Sequence, residues 1–149
     1  MTQFALLDDD AVFRRMMSRA FGKLGVDLVH AGDLESLTLQ AEAAPPSVVL
    51  VDLAMPDPQG VHWRFGGLLN VRLARRRFGP GPQIWVLTGY DDTCIERECL
   101  RNGADHVIFK SMSVDDTAYD VFCAWKAETQ PRRASGARTQ DHEGLTAPT

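Results

Sequence analysis

The chain has 149 residues, of which 44% are apolar, enough for one domain with a proper core. Its 16 basic side chains against 20 acidic ones leave a formal charge of −4, which argues against a general nucleic-acid binder. No apolar run is long enough to span a membrane, Met1-Thr-Gln-Phe4 opens no secretory signal, and Cys94, Cys99 and Cys123 lack metal-ligand spacing, so reduced thiols in a cytoplasmic protein are expected.

Phe4-Ala-Leu-Leu7 predicts a first strand that stops at Asp8-Asp9-Asp10. Phe13, Met16, Met17, Ala20, Phe21 and Leu24 then recur at helical spacing, with Asp10 as N-cap and Gly22 and Gly25 as the stop. Val26 to His30 reads as a second strand. Asp33 starts a second helix with Leu34, Leu37 and Ala41 on its buried side, and Pro45-Pro46 closes it. Val48-Val-Leu-Val51 is a short β-branched run suited to a strand buried on both faces of a parallel sheet. It ends on Asp52, and Pro56, Pro58 and Gly60 then interrupt regular structure. Val61 to Phe78 predicts a helix broken at Gly66-Gly67. Ile84 to Leu87 is a fourth strand ending at Thr88, and Asp91 or Asp92 caps a helix reaching about Arg101. His106 to Phe109 is a fifth strand ending at Lys110. Ser113 caps a last helix that buries Val114, Ala118, Val121, Phe122 and Trp125.

Five strands alternating with five helices predict a parallel sheet covered on both faces. The strand ends then gather on one edge, where such sheets place ligand chemistry. That edge receives Asp8 and Asp9, Asp52, Thr88 and Lys110. Three converging carboxylates repel one another, and a divalent cation relieves that cost. An all-oxygen ligand set favours magnesium, or manganese, over zinc. One nucleophilic carboxylate with a hard cation, an ammonium and a hydroxyl suits phosphoryl transfer to an aspartate.

Leu7-Asp8-Asp9-Asp10, Val51-Asp52-Leu-Ala-Met-Pro56 with Gly60, Leu87-Thr88-Gly89, and Gly103-Ala-Asp105 ahead of Lys110 resemble the receiver domain of two-component response regulators. The resemblance covers about residues 3–127. It implies a flavodoxin-like (CheY-like) three-layer αβα fold, sheet order 2-1-3-4-5, over residues 1–128. Residues 129–149 are expected to be a disordered tail, because from Pro131 onward hydrophobicity gives way to Pro, Ser, Gly, Thr and charge. The resemblance also implies that Asp52 accepts a phosphoryl group from a sensor histidine kinase or phosphotransfer protein. Asp8, Asp9, Asp52 and the backbone carbonyl of Ala54 would hold magnesium, and Thr88 and Lys110 would bind the phosphoryl oxygens. The expected role is a stand-alone phosphoacceptor, not a turnover enzyme. Its output would pass to an unknown downstream protein through the face of the fourth helix, fifth strand and fifth helix, with no direct DNA or membrane contact. The alternatives are a phosphate sink in a relay, a receiver-fold adaptor that works without phosphorylation, and an aspartyl-phosphate hydrolase. The last would want an acid two residues after Asp52, where Ala54 stands.

The chain departs from the family pattern in three places. Ser111 replaces the proline that usually follows the lysine, and a cis Lys110–Ser111 bond would cost roughly 3–4 kcal/mol, so trans is expected. Val107 stands where the family has an aromatic residue that moves with the threonine, leaving Tyr90 as a substitute screen of the phosphoryl site. The segment from Gly60 to Ile84 is longer than usual. Arg72, Arg75, Arg76 and Arg77 read either as a solvated helix face or as a docking patch for an acidic partner. His62 and Trp63 read either as kinase contacts or as loop-edge packing.

Overall fold

The computed structural model of the protein describes residues 3–62 and 65–129. Five strands form one parallel sheet: β1 (Gln3–Leu7), β2 (Asp27–Ala31), β3 (Val48–Asp52), β4 (Gln83–Thr88) and β5 (His106–Phe109). The helices are α1 (Ala11–Lys23), α2 (Leu34–Ala41), α3 (Gly67–Phe78), α4 (Thr93–Arg101) and α5 (Val114–Thr129). The spatial order β2-β1-β3-β4-β5 is the one expected. The order reverses at β1, which pairs with β2 on one side and β3 on the other. That reversal opens a crevice at the carboxyl ends of β1 and β3.

Strand alternation builds the two cores. Phe4 and Leu6 of β1, Val48 and Leu50 of β3, and Trp85 and Leu87 of β4 face α1 and α5, where they meet Met17, Phe21, Ala118 and Val121. Their neighbours Ala5, Leu7, Val49, Val51, Ile84 and Val86 face the other way, against Leu37, Val71, Ala74, Ile95 and Cys99 of α2, α3 and α4. β1 and β3 lie in the middle of the sheet, so no position from Phe4 to Leu7 or from Val48 to Asp52 can be exposed. This is why both sequences read as unbroken apolar runs.

Three helix starts follow the predicted caps. The Asp10 carboxylate accepts from the Val12 and Phe13 amides, Asp33 from Ser36 and Asp92 from Cys94. The Ser113 hydroxyl likewise accepts from the Asp116 amide.

Some expectations are corrected. The helix predicted from Val61 begins only at Gly67, and residues 65–66 form a turn. The cause is a close approach. A Cβ on Gly67 would collide with the Asp52 carbonyl oxygen and lie 2.7 Å from Leu53 Cα. A Cβ on Gly66 would collide with the Met55 carbonyl. The glycine pair lets α3 start flush against the loop leaving Asp52, so it is a packing site, not a flaw in a longer helix. Met16, placed on the buried side of α1, is 49% exposed. Cys99 is buried as expected of a core thiol, while Cys94 and Cys123 are exposed; all three are free. α5 runs through Thr129, one residue into the expected tail; residues 130–149 and Trp63 lie outside the described residues. The Lys110–Ser111 bond is trans. No helix among the described residues is long and apolar enough to cross a membrane.

Candidate functional site: an acidic pocket at the carboxyl edge of the sheet

The carboxyl ends of β1 and β3 are adjacent, so Asp8 and Asp52 are brought together by strand pairing, not by loop flexibility. Each is almost fully buried, with 1% and 5% of its surface exposed, while Asp9 is exposed at the rim. One carboxylate oxygen from each of Asp8, Asp9 and Asp52 lies within 4.8 Å of the others.

Asp8 is the strained member. Its Oδ1 accepts from the Asp10 amide at 2.9 Å, but Oδ2 is buried with no hydrogen-bond partner. A buried carboxylate oxygen left bare is costly. Burial above all, and then the Asp52 charge, push the Asp8 pKa up to about 7; the Asp10 amide and Lys110 pull the other way. An orphaned oxygen beside two further carboxylates fits a hard divalent cation bound through oxygen. Ala54 lies exposed in the turn after Asp52, on the same edge.

Lys110 closes the other side. Its ammonium donates to Asp52 Oδ1 at 2.9 Å. It also sits 4.6 Å from the centre of the Phe13 ring, near enough for a cation–π contact. Its backbone amide donates to the Thr88 carbonyl at 2.7 Å, which carries the β4–β5 pairing past the end of β5. Thr88 is buried, and its Oγ1 accepts from the Tyr90 amide at 3.0 Å, which leaves the hydroxyl proton free to donate to a ligand. Leu87 pairs with Asp52 across the sheet, placing Thr88 one residue beyond it on the next strand. The structure thus gathers Asp8, Asp9, Asp52, Thr88 and Lys110 at one edge.

Several supporting residues escaped the sequence reading. Arg14 of α1 donates from Nη1 to the Asp8 carbonyl at 2.7 Å and from Nε to His30 Nδ1 at 3.2 Å. Burial first, then Arg14 and Arg15, lower the His30 pKa and keep its ring nitrogen available as an acceptor. Phe13 carried no sequence signal beyond its apolar spacing. The Asp57 carboxylate accepts from the Gln59 and Val61 amides and closes a tight loop in which Gly60 has φ +83°. Asn70 of α3 donates to the Pro56 carbonyl at 2.9 Å and ties that loop down. The Asp57-Pro-Gln-Gly60 spelling was a turn signal for the first of these; nothing local announced the second.

The response regulator receiver domain model matches residues 4–120. The chain belongs to the response regulator receiver family. Among curated proteins, this receiver domain is 28% identical over 126 residues to the photosynthetic apparatus regulatory protein RegA of Cereibacter sphaeroides, covering 85% of the chain and 63% of RegA. The chain spans less than two thirds of the length of the curated relatives it matches. Among solved structures, the chemotaxis response regulator CheY4 of Vibrio cholerae superposes with a TM-score of 0.66 at 21% identity, over 83% of this chain and 98% of that one. A response regulator of Burkholderia pseudomallei, described with a phosphorylated aspartic acid, a calcium ion and citrate, gives 0.61 at 22% identity, over 87% and 76%.

Proposed function

We propose that this receiver domain is a phosphoacceptor switch in which Asp52 takes a phosphoryl group from a phosphohistidine on a sensor kinase or phosphotransfer protein. The observation that carries this is the pairing of a buried Asp52 carboxylate with Lys110 on one side and with two further carboxylates on the other. An Asp52 oxygen attacks phosphorus, the N–P bond of the donor breaks, and the imidazole leaves with the bond pair. Lys110 and the Thr88 hydroxyl receive the charge on the phosphoryl oxygens. Asp8, Asp9 and Asp52, with the Ala54 carbonyl, would hold magnesium or manganese. When bound, that ion would neutralise negative charge on the phosphoryl oxygens and on the acidic cluster. The phosphorylated aspartate and calcium in the description of the Burkholderia relative support the same assignment.

A protein donor suits the rim. Val12, two residues after Asp10 in the first turn of α1, and Met112, two residues after Lys110, are both well exposed. Apolar side chains beside a charged pocket favour a macromolecular phosphodonor. Output passes to a downstream protein in the cytoplasm, with no direct DNA or membrane contact, and the domain acts as a switch or a relay, not as a turnover enzyme.

Incubation with acetyl phosphate and magnesium tests this directly. Wild type gains one acid-stable, base-labile phosphate, and Asp52→Asn gains none. An unmodified Asp52 in folded wild-type protein would favour the phosphorylation-independent adaptor. Ser111 and Val107, which stand where the family has a proline and an aromatic residue, are the features that favour that second reading.

A further inference from the structure

The arginines of α3 do different jobs. Arg75 is committed to the fold: it donates to the Gly79 and Pro82 carbonyls at 3.2 and 2.7 Å and pairs with Asp105 at 2.6 Å. The field at a helix C-terminus accounts in general terms for basic residues at 75, 76 and 77. Neither reason covers Arg72, which lies in the middle of the helix. Arg72 and Arg76 are exposed, one turn apart, and neither has an acidic partner among the described residues, in a chain richer in acids than in bases. Like charges at this spacing repel, so the pair costs the helix stability in isolation.

The two arginines line a groove together with Leu69, Leu73, Pro58 and Gln59, with a volume of about 260 Å³. That is below the size of an ordinary small-molecule pocket. Leu69 is 38% exposed. Apolar side chains beside two arginines that have no acidic partner among the described residues match a ligand that carries carboxylates and an apolar anchor together.

We propose that this groove receives an acidic amphipathic helical segment of a partner protein. One apolar side chain lies on Leu69, Leu73 and Pro58, and two carboxylates one turn apart meet Arg72 and Arg76, each through a bidentate pair. A nucleic acid or an anionic membrane fits less well. Its extended charge would face the net negative charge of the whole domain, whereas a short segment feels only what lies within a screening length of about 8 Å. Its phosphates would also gain nothing from the apolar side chains. Pro58 belongs to the loop that leaves Asp52 and is tied to α3 through Asn70 and Pro56, so the groove shares a wall with the phosphoacceptor loop. This names the chemistry of one partner for the signalling role above, yet it stands on α3 and the adjoining Pro58 loop and does not require Asp52 to be phosphorylated.

The test is a displayed library of random 14-residue peptides selected on the full chain and counter-selected on the Arg72→Glu/Arg76→Glu variant. Enriched peptides should carry Asp or Glu one helical turn apart beside Leu, Ile, Phe or Met. They should bind wild type at least ten-fold more tightly than the double variant, and Leu69→Ser should weaken them. Arg72→Gln, which reverses no charge, should give a smaller loss of about three-fold. Circular dichroism and labelling by acetyl phosphate should be unchanged in all variants, which separates failure of the groove from failure of the phosphoacceptor reading. A selection that yields no peptide preferring wild type, or only basic or uncharged ones, overturns the proposal. So does binding of a labelled DNA duplex or of phosphatidylglycerol vesicles through Arg72 and Arg76 while acidic peptides fail.

Discussion

Asp8 and Asp10 stand two residues apart and have opposite physics. Asp10 is exposed and caps α1, its carboxylate satisfied by two backbone amides. Asp8 is buried, faces Asp52, and leaves one oxygen with no partner. Asp33 and Asp92 follow the pattern of Asp10, and Asp52 shares the site of Asp8. One residue type thus serves two purposes. Caps lower the free energy of the fold, and the pocket raises it in return for a place that can bind charge. An aspartate's purpose is read from what its oxygens lack, not from its position before a helix.

The sharpest way to break this comparison is to neutralise Asp8. Asp8→Asn should weaken magnesium binding at least 100-fold by calorimetry, while the metal-free protein melts no lower than wild type. A metal-free loss of stability like that of a cap would place Asp8 among the structural acids. The linkage has a definite sign. The Asp8 pKa is raised from an ordinary 3.8 to about 7, so its ionisation destabilises the fold progressively as pH rises through that interval and by a constant amount above it. The stability of metal-free wild type relative to Asp8→Asn should therefore fall from about pH 4 to pH 7 and then level off.

Gly67→Ala probes the backbone that positions the pocket. Its Cβ has no room beside the Asp52 carbonyl and Leu53, so a loss of about 1–3 kcal/mol is expected in denaturant unfolding, together with slower labelling of Asp52. The caps come next. Asp10→Ala, Asp33→Ala and Asp92→Ala should each cost about 1 kcal/mol. The Asp33 and Asp92 variants should leave magnesium affinity unchanged, since those residues lie outside the pocket. Smallest of all is Glu98→Gln, which removes an exposed pair with Arg101 at 3.4 Å and should shift stability by under about 0.5 kcal/mol.

The sheet was legible because burial on both faces leaves Phe4 to Leu7 and Val48 to Val51 no polar position, and because Asp10, Asp33, Asp92 and Ser113 announce four of the helices in sequence. The pocket was legible because strand ends of a parallel sheet must share an edge, which turns five scattered residues into one site. What stayed hidden depends on contacts between distant segments. Gly66-Gly67 reads as a weak spot in a helix until the Asp52 loop is seen lying against it. Arg14 reads as a surface residue until it reaches the Asp8 carbonyl. Arg75 looks no different from Arg72 until Asp105 comes within 2.6 Å. Met16 fits the apolar period of α1, yet it faces outward, because periodicity locates a stripe without fixing its width.

The contact between the Lys110 ammonium and the Phe13 ring has a spectroscopic consequence. Any new anion at Asp52 draws the ammonium towards itself and changes the electric field over that ring, which belongs to a different element of the chain. The aromatic resonances of Phe13, isotopically labelled, should therefore shift when beryllofluoride is added, giving a nuclear magnetic resonance reporter of pocket occupancy that needs no engineered tag.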